Sequence, residues 1–133
     1  MHDDILIVSE SEKSVSSRTG HSLMDGNVFA EKRYEQAKRH FHEILGAMQR
    51  GDLEQFGRIV ESEALTLHAL MMASNPSFLL LEPNTVKLIQ LIRAYREESK
   101  QPLYFTLDAG PNIHLLYPHN IQASVSSFIN DEL

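Results

Sequence analysis

The stretch "LYFTLDAGPNIHLLYP", Leu103 to Pro118, decides the fold. Two apolar runs rich in aromatic and branched residues flank the segment "DAGPN", and such runs read as strands. Gly110, Pro111 and Asn112 supply the turn between them: glycine adopts conformations other residues avoid, proline presets its own φ, and asparagine bonds nearby backbone. Strands this close in sequence pair as an antiparallel hairpin, so the chain is expected to be α+β rather than a purely parallel α/β sheet. Asp108 stands at the edge of the corner. Aspartate is common in turns because its carboxylate bonds neighbouring amides. The small Ala109 and Gly110 beside it leave the carboxylate approachable, and a carboxylate next to a phosphate-binding loop can orient or deprotonate a hydroxyl. From the residues alone both readings stand.

Working outward, "DILIVSE" near the start reads as an opening strand, bounded by Asp4 and Glu10. The polar segment "SEKSVSSRTGHSLMDGN" follows, a long loop of the kind that is usually functional or disordered. From about Phe29 to Arg50, Tyr34, Ala37, Phe41, Ile44, Leu45 and Met48 recur at helical spacing. Gly51 stops this helix, and Asp52 caps a second one with Gln55 as its capping-box partner. Leu53, Phe56, Ile59, Val60, Leu67 and Leu70 share a face of the second helix, which should end near Ser74, before Asn75 and Pro76. The two helices are expected to form an antiparallel hairpin. "SFLLLEPN" is either a short strand or an extended connection. Asn84 or Thr85 caps a third helix, with Val86, Leu88, Ile89, Ile92 and Tyr95 facing inward and "ESKQP" ending it. Asn120 caps a last helix containing Ile121, Val125, Phe128 and Ile129. The expected order is β-α-α-(β)-α-β-β-α.

At 133 residues the chain suffices for one domain with a core and is short for two. Its formal charge is -6, with acids and bases interleaved, and no basic stripe of the kind nucleic-acid binding needs is visible. The most basic segment, "EKRYEQAKRHFH", reads as a solvated helix face. The absence of cysteine excludes disulfides, cysteine nucleophiles and thiolate metal sites, and suits the cytoplasm. "MHDDILIVSE" has neither the basic nor the apolar region of a signal peptide. The greasiest stretch, "LTLHALMMASNPSFLLLEP", is interrupted by His68, Asn75 and Pro76 and falls short of a membrane span.

Seven histidines raise the question of a metal. His40 and His42, two residues apart on a helix, point about 200° apart and cannot share an ion. His68, near the apolar face of the second helix, reads as a core histidine with a satisfied ring nitrogen. His2 is terminal, and no HExxH-type spacing occurs, so no metal site is expected. "KSVSSRTGHS" could gather hydroxyls and the Arg18 guanidinium around a phosphate, although on its own it reads as a solvated serine-rich loop.

Taken together, "VSSRTGH" after a strand, "LTLHALMMASNPSF" in mid-chain and "YFTLDAGPN" near the end resemble the C-terminal domain of diphosphomevalonate decarboxylases, in the GHMP kinase superfamily. The resemblance runs from about Asp4 to Ile129, and "YFTLDAGPN" is its most specific part. It implies an antiparallel, ferredoxin-like sheet with helices packed on one face. It also implies an ATP- and magnesium-dependent reaction that converts mevalonate 5-diphosphate to isopentenyl diphosphate, ADP, phosphate and carbon dioxide. By resemblance, Asp108 is the catalytic carboxylate, and Ser17 and Arg18 bind the substrate diphosphate or the phosphoryl group in transfer. Thr19, His21 and Glu63 depart from the family pattern. The family's N-terminal ATP-binding domain is absent from the sequence. Residues 1–133 are therefore expected to be a single, truncated C-terminal domain, inactive alone, with its own N-terminal domain as partner and a homodimer as a possible assembly. A mevalonate kinase-like relative and a non-catalytic small-molecule-binding α+β module are the alternatives.

Overall fold

The computed structural model describes residues 1–10 and 25–133. Strand β1 spans His2–Leu6. Helices α1, Ala30–Arg50, and α2, Leu53–Met72, follow it. Helix α3 covers Pro83–Ser99, strand β2 Tyr104–Leu107 and strand β3 Ile113–Tyr117. One 3-10 turn, His119–Ile121, leads into α4, Gln122–Glu132. The strands form one antiparallel sheet in the order β1-β3-β2, with Leu107 opposite Ile113 at the hairpin end and Leu6 opposite Ile113 across the other pair. The α+β architecture expected from the hairpin is the one observed.

Alternation along the strands decides which face is covered. Phe105, Ile113, Leu115 and Tyr117 turn inward, and with Ile89 and Ile92 of α3 and Val125 and Phe128 of α4 they form the core. Asp3 and Ile5, on the alternate positions of β1, are exposed. Helix α2 lies along β2, where Gly57 lets the Tyr104 ring approach the helix backbone. Glu61 of α2 reinforces that edge. Its carboxylate pairs with Arg96 at 2.6 Å and accepts from the Phe105 amide at 3.3 Å.

One open alternative is resolved and two local expectations are corrected. "SFLLLEPN" forms no strand and runs as a connection into α3. That helix is capped by Glu82 rather than by Asn84 or Thr85; Pro83 takes the first turn, and Thr85, at its third position, returns a bond to the Glu82 amide. Asn120 lies inside the 3-10 turn, and Ile121 is the residue that precedes α4.

The apolar period of α1 is present, but Tyr34, Phe41, Leu45 and Met48 face solvent in this chain. Helix α1 packs on α2 through smaller and polar groups instead, with Ala30, His40 and Ala47 buried. The cap at Asp52 is as expected, accepting from the Gln55 amide at 3.1 Å. No helix among the described residues is long and apolar enough to cross a membrane.

Candidate active site

The corner between β2 and β3 runs from Asp108 to Asn112, and three long-range contacts hold it. His68 on α2, only 2% exposed, places Nε2 at 2.8 Å from the Asp108 carbonyl oxygen. A carbonyl only accepts, so Nε2 carries the proton. Thr85 at the start of α3, fully buried, donates its hydroxyl to the Pro111 carbonyl at 2.7 Å. Asn112 turns its Oδ1 toward the end of β1, accepting from the amides of Val8 at 2.8 Å and Ser9 at 3.2 Å. Two helices and the first strand therefore fix a five-residue loop that would otherwise owe its shape to Gly110 and Pro111 alone.

The electrostatics follow from burial. Removal from water holds the His68 imidazole below its ordinary pKa, and the carbonyl and charge of Asp108 oppose this only in part. His68 is thus a neutral donor under the corner. Asp108 itself is half-buried, at the point where β2 ends and the sheet edge opens.

Of the three site residues the sequence nominates, the described residues include Asp108. Ser17 and Arg18 lie outside them, as do Thr19 and His21. Among the described residues, Asn112 accepts from the amides of Val8 and Ser9, just past the end of β1.

Glu63 belongs elsewhere. It faces α1, where Oε1 accepts from Arg33 at 3.0 Å and from His40 Nδ1 at 2.6 Å, while Oε2 pairs with the second Arg33 nitrogen. The residue serves helix pairing. His42 is exposed on the other side of α1, as the helical repeat requires. Among the described residues no three His, Cys, Asp or Glu side chains gather where they could hold a metal ion. A cleft of about 590 Å³ opens between α2 and the end of α3. Two of its cations are already paired, Arg96 with Glu61 and Lys100 with Glu97, so it offers little charge to a phosphate.

Sequence reasoning nominated Asp108 and anticipated the satisfied ring nitrogen of His68. It missed the grip of Asn112 on β1 and the bond from Thr85 to the corner. Asn112 was visible only as a turn residue, and Thr85 only as a helix cap.

Comparison with known proteins bears on the same segments. Residues 4–133 match the family described as "Mevalonate 5-diphosphate decarboxylase C-terminal domain". The diphosphomevalonate decarboxylase of Debaryomyces hansenii is 27% identical over 128 residues, which is 94% of this chain and 33% of that protein. The crystal structure of a mevalonate diphosphate decarboxylase from Legionella pneumophila superimposes with a TM-score of 0.91 at 29% identity, covering 99% of this chain and 42% of that one. A structure described as "MDDEF in complex with MVAPP, AMPPCP and Magnesium" gives 0.89 at 25% identity, covering 97% of this chain and 39% of that one. The chain thus spans about a third of the length of the curated relative it matches. The fold and the match over residues 4–133 agree, and the chain belongs to the mevalonate 5-diphosphate decarboxylase C-terminal domain family.

Proposed function

We propose that this chain is the C-terminal domain of an ATP-dependent, cytoplasmic diphosphomevalonate decarboxylase and acts together with an N-terminal domain that carries the nucleotide. The observation that carries the reading is the tethering of the corner bearing Asp108, through Asn112, to the end of β1. Ser17 and Arg18 follow that strand in sequence. On this reading Arg18 acts beside Asp108, and a carboxylate with an arginine is what phosphorylation of an alcohol on a diphosphate-bearing substrate requires.

In this account Asp108 orients the tertiary hydroxyl of mevalonate 5-diphosphate and takes up its proton as the oxygen attacks the γ-phosphorus of ATP. The P–O bond to ADP breaks as the new one forms. Phosphate then leaves with the electrons of its C–O bond, and the electron pair of the carboxylate C–C bond becomes the alkene as carbon dioxide departs. Arg18 balances diphosphate charge through its planar donors, and the Ser17 hydroxyl adds a neutral one. Magnesium, held through the nucleotide phosphates, supplies charge neutralisation on the transferring group. The relative crystallised with AMPPCP and magnesium supports this cofactor pair.

The test measures ADP and carbon dioxide together, using the full-length protein with mevalonate 5-diphosphate, ATP and magnesium. One carbon dioxide per ADP is expected. ADP without carbon dioxide would make the protein a kinase instead, and neither product would leave only a shared fold.

A further inference from the structure

We propose that His68 is a positioning residue for Asp108: by donating from Nε2 to the Asp108 carbonyl, it sets the direction in which the corner presents the carboxylate. The inference rests on the catalytic reading of Asp108 and deepens it.

The geometry is specific to one carbonyl. Asp108 is the first residue past β2, so its amide side is fixed by the sheet and its carbonyl side by the corner. Ala109 and Gly110 follow, and the glycine leaves the corner beyond Asp108 free to take more than one path. The bond from His68 at 2.8 Å fixes the plane of the peptide joining Asp108 to Ala109, and so holds the backbone on the carbonyl side of the residue that carries the carboxylate. The bond from Thr85 acts on Pro111, three residues further, and holds the far side of the corner. His68 can act in this way because its helix is anchored independently. Neighbouring α2 residues pair with Arg96 through Glu61 and with α1 through Glu63, so the imidazole is a fixed point.

A buried histidine that only stabilised the hairpin would lower melting temperature and leave the chemistry of folded molecules unchanged. One that aims a catalytic group shows itself in kcat, since displacement of a reacting group by about 1 Å costs on the order of 100-fold.

The experiment uses the full-length protein in three variants below their melting temperatures. His68→Phe removes the donor at similar volume. His68→Gln keeps an N–H at a similar reach. Gly57→Ala strains the α2–β2 packing, away from the corner. We expect His68→Phe to lower kcat about 100-fold with KM for mevalonate 5-diphosphate little changed. Most of that loss should be restored in His68→Gln, and Gly57→Ala should keep wild-type kcat despite its lower Tm.

Wild-type kcat in His68→Phe, failure of glutamine to restore it, or an equal loss in Gly57→Ala would overturn the proposal. Nitrogen-15 NMR of His68 supplies a readout that does not depend on turnover or on folding of the phenylalanine variant. A proton on Nε2 at neutral pH is required, and an Nδ1–H tautomer overturns the inference. Wild-type protein that turns nothing over would defeat the decarboxylase reading, while the tautomer would still decide whether His68 holds the corner.

Discussion

Asn112 accepts from the Val8 amide at 2.8 Å, joining the hairpin corner to the end of the first strand across 104 residues of sequence. Replacing Asn112 with leucine removes the acceptor shared by Val8 and Ser9. A cost of about 1–2 kcal/mol is expected, as for a lost part-buried hydrogen bond with incomplete resolvation. Amide exchange at Val8 and Ser9 should speed up, and on the proposed function KM for mevalonate 5-diphosphate should rise. Unchanged exchange at both amides would show that the corner does not hold β1.

Gly57 and Tyr104 make a second testable contact. A Cβ at position 57 would lie 2.1 Å from Tyr104 Cδ1, with two further ring carbons within 2.4 Å. Gly57→Ala therefore forces the ring or the helix to shift, at about 1–3 kcal/mol. Chemical denaturation measures this, and a second substitution, Tyr104→Leu, should recover part of the loss. An alanine variant as stable as wild type would contradict the close approach.

Acid sensitivity should arrive in two stages. Burial lowers the pKa of His68 in the folded protein below its usual 6.5, so below that pH the unfolded chain binds the extra proton and stability falls. Glu63 responds at lower pH. Burial raises its pKa, but the hydrogen bonds and charges of Arg33 and His40 outweigh this and hold it below 4.5. Its stabilisation is present above 4.5 and is lost as pH falls toward the folded value. Equilibrium unfolding against pH should lose the first stage in His68→Gln and the second in Glu63→Gln. A single unaltered acid transition in both variants would refute the assignment.

At the alkaline end, Tyr117 is 1% exposed and donates its hydroxyl to Asp4. Burial, with the hydrogen bond and charge of Asp4, raises its pKa to about 12. Its contribution is complete below the ordinary value of 10 and disappears as pH rises through about 12. Phenolate absorbance should show Tyr117 ionising late, with Tyr104 also shifted upward by burial, and Asp4→Asn should bring Tyr117 earlier.

What the sequence disclosed depended on whether the signal was local. The β2–β3 hairpin and the Asp52 cap were readable because their determinants are neighbours in the chain: branched residues around Gly110-Pro111, and Gln55 three positions after Asp52. The cap of α3 was misread because Thr85 resembles an N-cap by residue type, whereas Pro83 two positions earlier occupies the first turn and moves the cap to Glu82. On α1, Tyr34 and Phe41 keep helical period, but period cannot say which face a neighbour covers, and α2 takes the side of His40 and Ala47. At the candidate site, residue type and resemblance nominated Asp108. The bonds from His68, Thr85 and Asn112 were not readable because each joins a side chain to backbone atoms far away in sequence, and backbone leaves no mark in composition.

The most direct measurement is ATP-dependent carbon dioxide release from mevalonate 5-diphosphate by the full-length protein and its Asp108→Asn variant, with circular dichroism confirming that both are folded. The account predicts a loss of at least about 100-fold in kcat for the variant, the scale expected when a positioned general base is removed. A folded Asp108→Asn protein that releases carbon dioxide at the wild-type rate would contradict it.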